Sequence, residues 1–389
     1  MAKDKLRHAI IGCGGMAGGH INACKELKQK GLDIFDLVAV CDVDENRASG
    51  FAQRAGEFQD GLKPKIYTDY KKLLEKEQID SADICTDHRT HSIIAVECLK
   101  AGAHAMCEKP MGITVKACQQ MIDVAKERGK IVAVAENYRR GLGARAVKLA
   151  LENGVIGSPQ LYLQGGVGSR DDNITTVWRH HKLDAGDGTI LDNGVHDSDL
   201  MYYWLGEVDE VYGVAFSFAP EKYRRDNKGK IIERTYNDVH DGGFAIFKFA
   251  NGAVGQWSPA YWCGHGESSH LGIWLYGSKG VIKGGEAILD DGSRVNMEKY
   301  FKENANDELK EKCFPHGITD GVTHEVYDFM NCILTGGTPE TDGVMGLKAV
   351  AIAYSLIEAS CLGQPVKVKD VESGKIDKWQ SEINESLGL

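Results

Sequence analysis

A chain of 389 residues exceeds what one compact core usually holds and suits two domains. Its formal net charge of −10 opposes nucleic acid and anionic membrane surfaces, and its 42% hydrophobic and 26% charged residues are those of a globular protein. No basic stripe or reader motif points to nucleic acid, no apolar run is read as approaching the ~20 residues of a membrane span, and no apolar leader precedes the first strand. The 11 cysteines are odd in number, irregularly spaced and never paired as C-x-x-C. That pattern argues for free thiols in a reducing cytoplasm rather than a disulfide framework.

The apolar run Ala9-Ile10-Ile11 reads as a strand entering Gly12-Cys13-Gly14-Gly15-Met16-Ala17. A strand that enters a glycine turn and opens a helix leaves free backbone N–H groups at the helix start. Those groups and the helix dipole favour a pyrophosphate. Gly12 lets the chain turn tightly, Gly14 lets a diphosphate approach the backbone, and small Ala17 lets the helix pack close to the strand. An ordinary glycine turn can be spelled the same way, so context matters. Residues 37–42, Leu-Val-Ala-Val-Cys-Asp, read as a second buried strand ending in an acid. Asp42 can accept hydrogen bonds from adenosine ribose hydroxyls and would repel a 2′-phosphate, which selects NAD over NADP. It stands roughly thirty positions after Gly12 rather than the usual ~20, a difference that a helix at 16–30 and the Gly31–Phe35 connection absorb. The competing reading makes Asp42 a cap of the next helix, Asp44–Arg54.

The alternation continues with Lys65–Tyr67 extended, Tyr70–Glu77 helical, Ala82–Thr86 a strand and His91–Ala101 a helix stopped by Gly102. Ala103–Cys107 is a strand, Val115–Arg128 an amphipathic helix, and Ile131–Ala135 a further strand. Such alternation implies parallel strands with right-handed crossovers, hence a doubly wound sheet over residues 1–136. Ligands bind outside the carboxyl ends of such strands, where Thr86, Glu108 and Asn137 fall.

After a helix at 144–152 the pattern changes. Gln160–Val167, Val208–Phe218 and Gly242–Ala250 alternate with period two, and Asn251-Gly252 marks a hairpin into Ala253–Tyr261. Leu271–Tyr276 follows. This half, 137–389, is expected to be an α+β domain with a large, mostly antiparallel sheet. Residues 170–190 and 220–240 are expected to be irregular loops over a site. Helices at 321–334 and 344–362 close the chain, the second expected to pack back against another element, with the first domain a candidate. Cys263, His265, Glu267 and His270 cluster in sequence, but a loop is the simpler reading than zinc, which needs converging donors.

Two segments carry the chemistry. Glu108-Lys109-Pro110 follows a parallel strand directly, where an ammonium can face a substrate. Asp192-Asn193-Gly194-Val195-His196 is followed by Asp199 and opens a helix running to Gly206. Asp192 and His196 lie four apart, a spacing that shares a helical face, and His is the side chain readiest for general-base work near neutrality. The bland alternative makes Asp192 an N-cap, His196 a helix-surface residue and Lys109 a surface lysine.

Taken together, the early glycine turn, Ala101-Gly102-Ala103-His104 before Glu108-Lys109-Pro110, Asn137-Tyr138-Arg139-Arg140, and Asp192-x-Gly194-x-His196-x-x-Asp199 resemble the Gfo/Idh/MocA oxidoreductase family over nearly the full length. The resemblance implies an N-terminal Rossmann domain and a C-terminal domain whose open sheet joins dimers or tetramers. It implies that Lys109 contacts the reacting hydroxyl, that His196 accepts its proton and that Asp192 holds substrate hydroxyls. Glu108 would bind the nicotinamide-side ribose, with Thr86, His91 and Asn137 lining the cofactor and Trp178-Arg179 reaching cofactor and substrate. Family members often carry Thr-Pro-Asn where this chain has Thr86-Asp87-His88, which leaves the contact at position 87 open.

The function expected is NAD-dependent oxidation of a secondary hydroxyl of a sugar, cyclitol or glycoside, with sugar C3 a candidate carbon. A redox-neutral glycosidase that oxidises its sugar transiently is the alternative, told apart by whether NADH accumulates. A non-enzymatic dinucleotide sensor is disfavoured because both Lys109 and His196 are retained.

Overall fold

The computed structural model describes residues 5–168, 174, 176–260 and 269–389. The chain divides into two compact units. The first comprises Met1–Gly112, Ala117–Gly141 and Lys310–Leu347, and the second Ile113–Lys116, Leu142–Leu309 and Lys348–Leu389. A single division at residue 136 therefore misses the return of 310–347 to the first unit.

The first unit alternates strand and helix in chain order. Its strands are β1 (Leu6–Ile11), β2 (Phe35–Cys41), β3 (Lys65–Tyr67), β4 (Ser81–Ile84), β5 (His104–Glu108) and β6 (Val132–Ala135). Between them run α1 (Ala17–Gln29), α2 (Glu45–Gly56), α3 (Tyr70–Lys76), α4 (His88–Lys100) and α5 (Val115–Arg128). All strands are parallel in the order β3-β2-β1-β4-β5-β6. Chain direction reverses across the sheet between β1 and β4, and in doubly wound sheets the crevice at that switch point receives the ligand.

The main run of the second unit opens with α6 (Leu142–Glu152) and β7 (Pro159–Val167), then α7 (Lys182–Ala185), α8 (Thr189–Asp192) and α9 (Gly194–Leu205). There follow β8 (Val208–Phe216), β9 (Glu221–Arg225), β10 (Ile231–Tyr236), β11 (Gly242–Phe249), β12 (Val254–Ala260), β13 (Ser269–Gly277), β14 (Gly280–Lys283), β15 (Glu286–Leu289), β16 (Arg294–Asn296) and α10 (Met297–Asn304). Along α11 (Asp307–Cys313) the chain passes back to the first unit for α12 (Gly321–Thr335). Within α13 (Gly343–Leu362) it returns to the second unit, where β17 (Val366–Lys367) closes a nine-stranded sheet. That sheet is antiparallel except for the pair β7/β12, so it is mixed rather than uniform.

Period two shows which face of the large sheet is inside. Val211, Ala245, Phe247 and Trp257 are buried, while Tyr212 and Val214 on β8 and Phe244 and Ile246 on β11 point outward. Residues 220–240 are not an irregular loop as expected: β9 and β10 form their own hairpin, with Tyr223 opposite Arg234. Three short strands, β14–β16, also lacked a strong alternating signal. The Asn251-Gly252 turn forms, and only Gly252 takes a positive φ.

α12 shows why the chain returns. Asp320 caps it, accepting from Thr323 N at 2.7 Å, and Gly336 ends it in the left-handed region. Its Val326, Phe329 and Met330 are buried in one cluster with Ile21 and Leu27 of α1 and Phe35 and Leu37 of β2. Thr341 then adds to the sheet edge, with Val134 N donating to its carbonyl at 2.9 Å. α13 departs from the expectation that no apolar run approaches the length of a membrane span. It has 20 residues and enough apolar character to cross a bilayer, although 72% of its apolar window is buried inside the protein. From residue 348 onward it belongs to the second unit, where Ser360 Oγ accepts from Ala215 N at 3.0 Å.

Candidate active site

In the first unit the glycine turn sits at the carboxyl end of β1. Gly12 has φ +92°, and a Cβ there would lie 2.5 Å from the Cys85 carbonyl oxygen, so both conformation and space require glycine. A Cβ on Gly14 or Gly15 would meet nothing within 4 Å, so the turn is open on that side. Met16 precedes α1 and gives it no side-chain cap, and Ala17 is fully buried. Asp42 closes the turn from the next strand. Its Oδ2 accepts from Cys13 N at 2.8 Å and its Oδ1 from Asp44 N at 2.9 Å. Asp44, not Asp42, caps α2, so the capping alternative for Asp42 fails. Each Asp42 oxygen keeps a second acceptor site for a ribose hydroxyl.

At the end of β4, Thr86 Oγ1 accepts from Thr90, and Asp87 caps α4 through Thr90 N at 3.1 Å. That accounts for the departure at position 87: the residue serves the helix. His91 is fully buried, its Nδ1 donating to the Pro110 carbonyl at 2.9 Å with Nε2 3.3 Å from the Thr86 carbonyl. It braces the turn after β5, and burial pushes its pKa below the ordinary value, which keeps the ring neutral. The Lys109–Pro110 peptide in that turn is cis.

Glu108 ends β5 with its carboxylate buried. Oε1 lies 2.9 Å from His20 Nε2, and Oε2 accepts from Lys109 N at 3.1 Å. His20 Nδ1 lies 2.9 Å from Asp83 Oδ2. Burial works against charge on His20, but its hydrogen bonds to two carboxylates and the neighbouring Cys85 sulfur more than offset it, so its pKa stands well above the ordinary value. Burial likewise raises Glu108, and the hydrogen bond and charge of His20 with the charge of Lys109 outweigh it and hold the carboxylate low. Glu325 on α12 is pushed well up, first by burial and then by the charge of Glu108. Sequence reasoning missed His20, Asp83 and Glu325. Their signal was a charged or imidazole group on the buried side of an otherwise apolar element. Asn137 follows β6, and its Oδ1 is buried without a protein partner. The open glycine turn, the Asp42 carboxylate and this orphaned acceptor fit a dinucleotide with its hydroxyls and carboxamide.

In the second unit, α8 ends at Asp192 and α9 starts at Gly194, with Asn193 between them offering no side-chain cap. Asp192 is therefore not an N-cap, and the two residues do not lie on one uninterrupted helix. The Asp192 carboxylate accepts from Arg179, whose guanidinium lies 4.6 Å from the Trp178 ring centre. His196 lies in the first turn of α9 and is only 7% exposed, so it is not a surface residue. α9 is fastened to the sheet by Asp197, which accepts from Trp257 Nε1 at 2.9 Å and from Gln164. Close packing needs Gly194, where a Cβ would sit 2.8 Å from the Trp257 ring. Asp199 is buried on the same helix. The β9–β10 hairpin flanks the Trp178-Arg179 segment: Ile174 N donates to the Tyr223 carbonyl at 3.0 Å, and Asp238 N donates to the His180 carbonyl at 3.2 Å. Cys263, His265 and Glu267 lie outside the described residues, as does the His270 side chain. Lys109 belongs to the first unit, and Asp192 and His196 to the second.

A six-stranded doubly wound sheet with a glycine turn and an acid at the end of β2 is the architecture of a dinucleotide-binding domain. Residues 6–136 match the model of an oxidoreductase family with an NAD-binding Rossmann fold, and residues 144–283 match the GFO/IDH/MocA C-terminal domain. D-apiose dehydrogenase of Paraburkholderia graminis is 30% identical over 95% of this chain and 91% of its own. Myo-inositol 2-dehydrogenase of Thermotoga maritima is 26% identical over 94% and 99%. A structure of levoglucosan dehydrogenase with NADH and levoglucosan superposes with a TM-score of 0.75, at 23% identity, over 94% of this chain and 99% of that one. The chain belongs to the Gfo/Idh/MocA family. It is an NAD-dependent oxidoreductase acting on CH–OH groups of the sugar type.

Proposed function

We propose that the protein dehydrogenates a secondary hydroxyl of a free sugar, cyclitol or glycoside, with sugar C3 the candidate carbon. The observation that carries this reading is the Asp192–His196 segment, where a buried histidine stands in the first turn of α9, four residues after a carboxylate that already engages a guanidinium. His196 accepts the hydroxyl proton. Lys109 stabilises the developing alkoxide, a charge effect strongest where water is scarce. Asp192 accepts hydrogen bonds from the substrate's other hydroxyls, and Arg179 and Trp178 shape that side of the site. NAD, when bound, supplies the hydride acceptor. Asp42 and the turn at Gly12, Gly14, Gly15, Met16 and Ala17 hold its adenosine diphosphate half. Thr86, Glu108 and Asn137 serve its nicotinamide half, with His91 behind them.

The test is NADH absorbance on mixing the protein with NAD and a panel of sugars, cyclitols and glycosides. Stoichiometric NADH with one of them supports the reading and identifies the substrate class. Glycoside cleavage without NADH assigns the redox-neutral glycosidase instead, and silence in both assays leaves a dinucleotide sensor.

Assembly through the outer face of the large sheet belongs to the same proposal. Tyr212 is paired with Ile246 and Val214 with Phe244, and the four are 45%, 58%, 55% and 51% exposed, so adjacent strands present one apolar patch. Such patches mark interaction surfaces. A homodimer or homotetramer in light scattering, converted to monomer by Ile246→Asp, is the expected result. The ten described cysteines are free, the state that a reducing cytoplasm maintains.

A further inference from the structure

Beneath the Glu108 turn lies a chain of buried ionisable groups that the proposed chemistry does not use. His8 of β1 bonds Ser81 through Nδ1 at 2.9 Å, and its Nε2 lies 3.4 Å from Asp83 Oδ2. Asp83 of β4 meets His20 of α1, and His20 meets Glu108 at the end of β5. Glu325 approaches from α12, 2% exposed, with its Oε2 lacking a hydrogen-bond partner. Cys24, Cys85, His91, Cys107, Lys109, Glu136 and Arg140 are the other charged and titratable groups around them. Ligating atoms of His20, Glu108 and Glu325 lie within 4.8 Å of one another. That spacing admits a metal, but both His20 nitrogens are already spent on carboxylates, so the group reads as a proton and charge network.

A carboxylate only accepts, so with two of them at 2.9 Å both ring nitrogens must donate. His20 is then an imidazolium held between two anions, a charge-assisted arrangement stronger than neutral hydrogen bonds. Asp83 anchors the far side of the ring from the middle of the sheet. The near side grips Glu108 Oε1, and Lys109 N takes Oε2. The Glu108 carboxylate is thereby fixed at both oxygens, and each retains a lone pair for an incoming hydroxyl.

We propose that His20 is a positioning residue for the dinucleotide: its ring, clamped between Asp83 and Glu108, holds the Glu108 carboxylate in the orientation that receives the cofactor's ribose. This rests on the reading of Glu108 as a ribose ligand. His20 contacts no reacting atom in this account and acts only through Glu108.

NADH affinity, read by fluorescence titration in the wild type, His20→Gln, Glu108→Gln and the double variant, tests it. His20→Gln removes the charge-assisted bond and should weaken NADH roughly ten- to hundredfold. In the Glu108→Gln background the same change should add less than threefold, because the group it positions is already neutral. Equal, additive losses in the two backgrounds would overturn the proposal, since they describe a histidine that merely supports the fold. A Glu108→Gln variant that binds NADH like the wild type would instead remove the ribose reading itself. Should His20→Gln fail to fold, Asp83→Asn carries the test. It takes away one of the two anions that keep His20 protonated, so NADH affinity should acquire a decline between pH 6 and 9 (roughly, from the ordinary range of His) that the wild type lacks. Identical pH profiles for Asp83→Asn and the wild type would refute the clamp.

Discussion

Asp42→Ala separates the two tasks placed on one carboxylate. In the protein alone, Asp42 accepts from Cys13 N and Asp44 N at 2.8 and 2.9 Å, at a site only 9% exposed. A hydrogen bond to a charged acceptor contributes about 1.5–3 kcal/mol net. Water that enters the vacated space recovers part of both, so the loss should be about 2–4 kcal/mol. For a unit of this size that lowers the melting temperature by roughly 5–15 °C. The same change deletes the acceptor proposed for the adenosine ribose and the charge that would repel a 2′-phosphate. NADH should bind at least tenfold more weakly, and the NADPH-to-NADH ratio of dissociation constants should fall by more than tenfold. Calorimetry of the free protein and fluorescence titration with both nucleotides measure these effects separately. A variant that melts lower but keeps the wild-type ratio would leave Asp42 a structural brace and refute its role in cofactor choice. A variant unchanged in both would contradict the geometry.

Lys109→Ala should lower kcat by about a thousandfold or more with the NADH dissociation constant within twofold, since the loss of transition-state charge stabilisation is worth several kcal/mol. His196→Asn should cost about 10²–10⁴ in kcat while NADH binds as in the wild type, and an unchanged kcat would exclude His196 as the base. Phe329→Ala should destabilise the first unit by about 3–5 kcal/mol in denaturant titration, because the ring is fully buried in the cluster that joins α12 to α1 and β2. His240 and Asp187 supply a pH test. Burial favours neutral His240, but the charge and 2.8 Å hydrogen bond of Asp187 prevail and raise its pKa above the ordinary value. A raised folded-state pKa gives stability that is fully present below the unfolded value near 6.5 and is lost as pH rises through the folded one. The melting-temperature gap between wild type and His240→Gln should therefore be widest near pH 5.5 and shrink toward pH 8.5.

The doubly wound half was legible because its signals are local. Each strand is a short apolar run, each helix carries its own stop, and the glycine turn is written in six consecutive residues. The strand order follows from handedness once alternation is recognised. The motif residues could be named for the same reason, though not their partners. Asp42, read as a ribose acceptor or a helix cap, is also the clasp on the Cys13 amide, which depends on β1 and β2 lying side by side. Asp192, read as a possible cap, engages Arg179 from a segment thirteen residues away. The β9–β10 hairpin is hidden in the sequence because charged side chains fall on both of its faces, so the alternation of half-buried and exposed positions along β10 is not written as apolar against polar.

By itself, then, the sequence determined the fold class, the cofactor and the short motifs, since backbone conformation and hydrophobic period are properties of neighbouring residues. Tertiary structure alone decided that residues 310–347 complete the first unit. It also brought His8, His20, Asp83, Glu108 and Glu325 together from β1, α1, β4, β5 and α12. Those positions span more than three hundred residues, and of the five only Glu108 stands in a recognisable motif. Only packing excludes the water that would otherwise separate their charges, and only then do they act on one another.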